Sequence, residues 1–167
     1  PSLTFGVGCA NIGVLRQNSN IVSRMRAGKP LVMLGEGVAP WSFTFTPDLA
    51  RGFIACCGNE KAYNTDFHIT NTELTLWEDL YRTIGALIGC EPKFAYLPSE
   101  VLKEADFGLF AHFYYEKKYA SVFSNEKIFA AAPAYRPQIT LRDGMEQILA
   151  WWESQGMPVD PRKDAME

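Results

Sequence analysis

Recurring helix-boundary signals constrain the fold of this sequence more than any other feature. Each helix candidate is preceded by a residue whose side-chain oxygen can accept a hydrogen bond from an unpaired backbone amide. Glycine closes most of them, because glycine adopts the left-handed conformation of a helix end without steric cost. These signals predict about six helices, and the residues that open them are Ser19 or Asn20, Thr46, Thr75, Ser99, Ser124 and Thr140.

The strongest of these signals lies around residue 75. Thr75 and Glu78 have the spacing of a capping box, in which the hydroxyl and the carboxylate each accept a hydrogen bond from a backbone amide. An apolar stripe at helical spacing follows and ends before Gly89. We therefore expect an amphipathic helix whose core face consists of Trp77, Leu80, Tyr81, Ile84 and Leu87.

Short apolar runs between the helix candidates are typical of strands. They span residues 31–34, 41–45, 66–70, 93–97 and 121–123. Strands that alternate with helices predict a mixed α/β (α+β) domain, and the strands are too few in a row for a complete doubly wound sheet. We expect one domain over residues 1–156 and a loose, charged tail over residues 157–167.

Composition and charge argue against several classes of protein. The net charge of −3 gives no electrostatic reason to expect nucleic-acid binding, which normally needs a basic surface. No apolar run approaches the roughly 18 residues of a membrane-spanning helix, and no signal-peptide pattern opens the chain. The four cysteines match no zinc or redox spacing, so we interpret them as reduced packing thiols of a cytoplasmic protein. His68 and His112 lie too far apart for metal-ligand spacing, and we predict no metal site.

The segment FGVGCANIG, residues 5–13, has the glycine spacing of a phosphate-binding loop. Gly6 and Gly8 fit the dinucleotide fingerprint, but Asn11 occupies the position of its third glycine. The next helix candidate begins only near Asn20, so the loop lacks the helix N-terminus that would hold a pyrophosphate. We therefore interpret these glycines as turn residues that serve another kind of site.

Five segments of the sequence resemble one protein family, in the same order and with similar spacing. They read PSLTFGVG, RMRAGKPLVMLGEGVAPWSFTFTPDLARGF, FHITNTELTLWEDLYRTIGALIG, VFSNEKI and TLRDGMEQILAWWES. The family is that of the NAD-dependent epimerase/dehydratases, which are extended short-chain dehydrogenases/reductases. The resemblance spans residues 1–154 and concerns the C-terminal half of those enzymes, so it implies a substrate-binding domain.

The resemblance also implies that catalysis requires residues outside this chain. The glycine-rich cofactor loop of the family, its catalytic serine or threonine and its Tyr-x-x-x-Lys motif all precede the matching region. The chain would then hold no catalytic residue, bind no cofactor alone and remain inactive without a Rossmann half that carries NAD or NADP. Because the sequence starts at Pro1, both a longer protein and removal of an initiator methionine are compatible with it.

The resemblance indicates which residues border the site. Pro1, Ser2 and Leu3 would lie beside the cofactor. Phe5 and Gly6 would lie in the loop that borders the nicotinamide and the substrate.

Trp41, Phe43 and His112 are the other substrate-binding candidates. In nucleotide-sugar members of the family, an arginine that grips the diphosphate stands at the position of Trp41. A second arginine stands where this chain reads Ala-Ser-Val at residues 120–122. Because tryptophan and serine cannot make bidentate charged hydrogen bonds, we expect a small, non-nucleotide carbonyl or hydroxyl compound as substrate. Simple packing of Trp41 on a strand face is the alternative.

Tyr114 and Lys118 have Tyr-x-x-x-Lys spacing, which would place them on one face of a helix. The segment HFYYEKKY offers several such pairs by chance, so we interpret it as a partly exposed aromatic and lysine cluster. A non-catalytic small-molecule-binding or interaction module with the same fold is the alternative function. An apolar face without its Rossmann partner predicts that isolated chains pair as a homodimer.

Overall fold

Eight α-helices and six short strands form the part of the chain that the computed structural model describes, residues 2–8, 12–165 and 167 without the side chains of Phe107, Leu109 and His112. The strands are β1 (Thr4–Phe5), β2 (Leu31–Leu34), β3 (Pro40–Trp41), β4 (Thr44–Phe45), β5 (Thr75–Leu76) and β6 (Phe94–Leu97). The helices are α1 (Asn20–Arg26), α2 (Thr46–Cys56), α3 (Trp77–Ile88), α4 (Ser99–Ala105), α5 (Phe107–His112), α6 (Glu126–Ala131), α7 (Leu141–Ser154) and α8 (Pro161–Ala165). A 3₁₀ turn spans Glu60–Ala62, and a π-helical turn spans Phe113–Lys117.

The described strands pair two by two. β1 lies parallel to β4, β2 lies parallel to β6, and β3 lies antiparallel to β5. The mixed α/β class expected from the sequence is therefore confirmed, with small sheets between helices. None of the helices in the described part of the chain has the length and apolarity that a membrane crossing needs.

Three of the predicted strands differ from the structure, because their backbones change partner. The run at residues 41–45 splits into β3 and β4, since the Ser42 amide donates to the Ser121 carbonyl while the Thr44 amide donates to the Leu3 carbonyl. Of residues 121–123, only Ser121 forms a bridge, with Trp41. Residues 66–70 form no strand, and the amide side chain of Asn125 supplies both hydrogen-bond partners of the Thr70 backbone.

The predicted capping box is wrong by one residue, because both of its members lie one position later in the chain than Thr75 and Glu78. Thr75 lies in β5 and pairs with Trp41, so α3 begins only at Trp77. The carboxylate of Asp79, not that of Glu78, accepts a hydrogen bond from the Leu76 amide at 2.7 Å. The cap predicted at Thr140 is confirmed, because its hydroxyl oxygen accepts from the Asp143 amide at 3.1 Å.

The core lies between α3, α7 and the strands. The predicted apolar face of α3 is buried over Trp77, Leu80, Tyr81 and Ile84 and packs with α7. The side chains that α7 contributes to this core are Leu141, Met145, Ile148, Leu149 and Trp152. A second, smaller cluster joins α2 and α6 and contains Ile69, Ile128, Ala132 and Tyr135.

The described residues of the C-terminal segment, 157–165 and 167, pack along α1. Asn20 exchanges two hydrogen bonds with the Asp160 backbone, and Arg24 forms an ion pair with Asp164 at 2.7 Å. Ser19 does not cap α1 with its hydroxyl, which donates instead to the Pro158 carbonyl. The physical reason is the buried guanidinium of Arg24, which needs acceptors that the charged segment supplies.

Candidate functional site

A cleft of about 450 Å³ lies where β1, β3 and the segment after the π-helical turn meet. We call it the Trp41 cleft, and it is lined by Ser2, Leu3, Thr4, Trp41, Glu116, Ser121 and Phe123. It brings together Ser2 and Leu3, predicted to border the cofactor, and Trp41, predicted to border the substrate.

Three backbone segments run side by side beneath the cleft and position its side chains. The Ser2 hydroxyl donates to the Ser42 carbonyl at 3.1 Å, which fixes the start of the chain against β3. On the other side, the Ser121 amide donates to the Pro40 carbonyl at 2.8 Å. The cleft is therefore built on paired backbone, which holds the lining residues in fixed relative positions.

Trp41 is almost completely buried, with 3% of its surface exposed. Its indole Nε1 donates to the Tyr119 carbonyl at 2.9 Å, and its ring lies 5.2 Å from the ring of Trp77. Both interpretations of this residue are thus compatible with its place, because it packs on a strand face and also lines the cleft.

Lys117 lies behind Trp41 and is 2% exposed. Its ammonium lies 5.0 Å from the ring centroid of Trp41 and 4.7 Å from that of Trp77, within cation–π distance of both indoles. Burial lowers the pKa of Lys117 to about 8, and the charge of neighbouring Glu116 opposes this shift. Sequence reasoning missed this residue because the lysines of its segment looked like surface residues.

Phe5, Gly6 and Phe43 lie outside the lining of the Trp41 cleft and are buried. Phe43 contacts Trp77 edge-on at 5.0 Å, and Phe5 contacts Phe43 at 6.3 Å, so these rings support Trp41 through Trp77. Their predicted contacts with substrate stay predictions. Pro1 and the side chain of His112 lie outside the described residues.

Tyr114 and Lys118 also stand apart from the residues that line the Trp41 cleft. The Lys118 ammonium lies over the Tyr114 ring, 3.6 Å from its centroid, and forms an ion pair with Glu100 at 3.2 Å. Lys103 approaches the same ring at 4.3 Å. Tyr115 is exposed, so the predicted aromatic and lysine cluster is present on this part of the surface.

The chemistry of the Trp41 cleft is that of hydroxyl groups, one indole and one carboxylate. The Ser121 hydroxyl can donate or accept hydrogen bonds, whereas Ser2 and Thr4 donate to backbone carbonyls and can only accept from a ligand. Glu116 adds a negative charge. Among the described residues that line the cleft, none is an arginine or a lysine. The described part of the chain also contains no group of three or more His, Cys, Asp or Glu residues that could hold a metal ion.

The fold is that of the C-terminal portion of nucleotide-sugar epimerase and dehydratase structures. UDP-glucuronic acid 4-epimerase from Bacillus cereus, solved with UDP-glucuronic acid and NAD, matches 92% of this chain with a TM-score of 0.69 and 19% identity. An epimerase from Methanothermobacter thermautotrophicus matches 93% of it with a TM-score of 0.71 and 19% identity. dTDP-glucose 4,6-dehydratase from Bacillus anthracis, solved with NAD, matches 96% with a TM-score of 0.65 and 14% identity. The fold that the sequence resemblance implied is therefore confirmed.

These matches concern less than half of each solved protein. The shared region covers 44% of the Bacillus cereus chain, 42% of the Methanothermobacter chain and 45% of the Bacillus anthracis chain. No protein-family model matches the sequence, and no curated protein sequence does either.

Proposed function

We propose that this chain supplies the substrate-binding portion of an NAD(P)-dependent epimerase, dehydratase or reductase. The fold supports this proposal, as do the solved enzymes of that fold, which were crystallised with NAD or NADPH. The dinucleotide would be carried by a Rossmann half and would supply the hydride chemistry. This chain's own residues would bind and orient the substrate.

The residues present fit the rim of a nicotinamide site and do not fit a pyrophosphate cradle. Ser2 and Leu3 line the Trp41 cleft, so they can border a cofactor ring that enters from the Rossmann side. α1 begins only at Asn20, after a turn at Asn18 and Ser19, and no other helix begins within the described residues 12–19. We therefore assign this chain contacts with the reactive end of the cofactor alone.

The substrate in this proposal is a small carbonyl or hydroxyl compound without a nucleotide. The observation that carries this choice is the lining of the Trp41 cleft, where hydroxyl groups surround an indole and a carboxylate. A diphosphate in the cleft would meet the like charge of Glu116 and no guanidinium from the lining residues. The hydroxyl groups of a neutral ligand would instead donate to Ser2, Thr4 and Ser121, and a carbonyl group would accept from the Ser121 hydroxyl.

Tryptophan fluorescence of the chain tests the substrate class. Dihydroxyacetone, a neutral hydroxy ketone, is expected to change the emission saturably, whereas UDP and UDP-glucose leave it unchanged. The Trp41→Phe variant serves as the control, because a signal from this cleft must disappear with its indole. Saturable binding of UDP that is tighter than binding of dihydroxyacetone would refute the non-nucleotide assignment.

A further inference from the structure

The C-terminal segment covers a set of polar side chains that the proposed function does not use. Gln17 is 1% exposed and Arg24 is 4% exposed, although both side chains are strongly polar. Both reach the C-terminal segment, Gln17 through Glu167 and Arg24 through Asp164 and Glu167. Buried polar groups of this kind need partners, and here the partners are carboxylates.

The side chain of Glu167 is fully buried, and its two oxygens lie beside Gln17 and Arg24. Oε1 accepts a hydrogen bond from Gln17 Nε2, whereas Oε2 forms an ion pair with Arg24 and accepts no hydrogen bond from the described residues. Asp164 binds the same guanidinium, at 2.7 Å from Nη1, and also lies 2.8 Å from Lys29 Nζ. Two carboxylates therefore occupy neighbouring positions around a single buried arginine.

The body of the protein, not the C-terminal segment, fixes the groups that bind these carboxylates. Gln17 Oε1 accepts hydrogen bonds from the Leu15 amide and the Tyr81 hydroxyl, both at 3.1 Å, which leaves Nε2 to face Glu167. The Arg24 guanidinium donates to the Pro30 carbonyl at 2.8 Å and 3.1 Å. A site whose donors are held in place independently of the ligand is preorganised for binding.

From this arrangement we infer that Gln17 and Arg24 form a binding site for a short aliphatic dicarboxylate. In the structure the C-terminal segment occupies the site as an intramolecular ligand, with Glu167 and Asp164 in the two carboxylate positions. In this proposal, an external dicarboxylate binds at the same two carboxylate positions and displaces the C-terminal segment from them. The charge of Arg24, whose Nη1 donates to Asp164, together with the Gln17 amide and Lys29, favours paired carboxylates over a single charge.

Replacement of the C-terminal segment would also release the loop at residues 12–18. Lys163 Nζ donates to the Arg16 carbonyl at 2.6 Å, and Ser19 donates to the Pro158 carbonyl. Arg16 and Asn18 adopt φ angles of 56° and 55°, in the left-handed region that residues other than glycine rarely occupy. Contacts from the segment help to hold this strained loop, so dicarboxylate binding would increase its backbone mobility.

Glutarate is the probe that tests the inference, and its uncharged diamide, glutaramide, is the control. In the unmodified chain, glutarate is expected to accelerate hydrogen exchange saturably in residues 157–165 and 12–18, and glutaramide is not. The Glu167→Ala variant removes the tethered competitor, so it should bind glutarate at least about tenfold more tightly than the unmodified chain. Glu153→Ala, which removes an exposed carboxylate of α7, should leave glutarate binding unchanged.

Three results would overturn the inference. The Glu167→Ala variant could fail to bind glutarate, or it could bind glutaramide equally well, and either result excludes a carboxylate site. Unchanged hydrogen exchange of the unmodified chain at high glutarate would exclude replacement of the C-terminal segment. This last measurement needs no variant, so it stands even if Glu167→Ala does not fold.

Discussion

The ammonium of Lys117 lies 5.0 Å from the ring centroid of Trp41, on a side chain that is 2% exposed. Trp41 also lines the Trp41 cleft, so a buried cation stands directly behind a wall of the candidate site. The Trp77 indole completes the enclosure at 4.7 Å and donates through Nε1 to the Lys117 carbonyl at 3.2 Å. Lys117 belongs to the π-helical turn, so its side chain connects this turn with Trp41 in the wall of the cleft.

The Lys117→Met variant should lose a pH dependence of stability that the unmodified chain shows above pH 8. Burial lowers the pKa of Lys117 from 10.5 in the unfolded chain to about 8 in the folded chain. Between these values the unfolded state binds one more proton, so the free energy of unfolding rises with pH by up to about 1.4 kcal/mol per unit. Below pH 8 Lys117 is protonated in both the folded and the unfolded state, so it does not change the slope of the free energy of unfolding against pH.

Denaturant unfolding of both proteins at pH 7.5 and at pH 9.5 measures this difference. The tyrosines titrate in both proteins, so their contribution cancels in the comparison. Equal slopes of stability against pH in the two proteins would show that Lys117 keeps its ordinary pKa.

Asp48→Ala should destabilise the protein by about 1–3 kcal/mol, because it removes a buried carboxylate and leaves the backbone amides that donate to it without an acceptor. The side chain of Asp48 is fully buried and accepts hydrogen bonds from the amides of Gln138 and Ile139 at 3.0 and 2.8 Å, in addition to its ion pair with Arg51. Asp66→Ala is the matched control, because Asp66 is fully exposed in its ion pair with Lys127. Thermal unfolding of the two variants should show a large decrease in Tm for Asp48→Ala alone, and similar Tm values would contradict the structural role.

Gly6→Ala should destabilise the protein by about 1–3 kcal/mol through overpacking. A Cβ at Gly6 would overlap the Oγ1 of Thr46, the first residue of α2, whose branched side chain is held at the helix start. Gly108→Ala provides the control, because the nearest atom to a Cβ there lies at 3.5 Å. Urea unfolding should give a lower free energy of unfolding for Gly6→Ala than for Gly108→Ala. An unchanged free energy of unfolding for Gly6→Ala would mean that β1 and α2 can move apart freely.

Ser121→Arg should create affinity for UDP, which the proposed non-nucleotide site of the unmodified chain is expected not to bind. Ser121 lines the Trp41 cleft and is half-buried, so a guanidinium at this position can reach a bound diphosphate. Ser121→Ala removes the hydroxyl without adding charge and should not bind UDP. Calorimetric titration with UDP compares the three proteins, and equal binding by the unmodified chain would mean that the cleft already accepts nucleotides.

Local signals in the sequence predicted the elements whose formation depends on nearby residues. The cap at Thr140 and the apolar face of α7 lie within one stretch of chain, and both are present as expected. Gly89 ends α3 in the left-handed conformation, with φ of 68°. Such signals act over a few residues and can be read without knowledge of the tertiary structure.

Interactions between distant residues decided the remaining features and left no local signal. Thr75 has the side chain of a helix cap, yet its backbone pairs with Trp41, far away in the chain. The Thr70 backbone pairs with the Asn125 side chain in place of a neighbouring strand. Lys117 is buried because two indoles from β3 and α3 enclose it. Only the tertiary structure brings such partners together, so propensity alone could not identify them.

The residues of the candidate site that the sequence indicated came from resemblance and not from pattern. Ser2, Leu3 and Trp41 line one cleft, and their contacts with cofactor and substrate stay predictions. The rest of the lining includes Glu116, which lies in a π-helical turn, and Ser121 and Phe123, which follow it; the sequence does not indicate the course of this turn. Phe5 and Phe43 were expected to contact substrate, and the structure places them in the aromatic packing that supports Trp41 through Trp77.

A crystal structure of the gene product that contains this chain, grown with NAD or NADP, tests the central claim most directly. The account predicts that the nicotinamide ring lies against Ser2 and Leu3 at the edge of the Trp41 cleft, with the rest of the dinucleotide held by a Rossmann half. A dinucleotide bound away from this cleft, or a gene product that binds neither NAD nor NADP, would contradict the account.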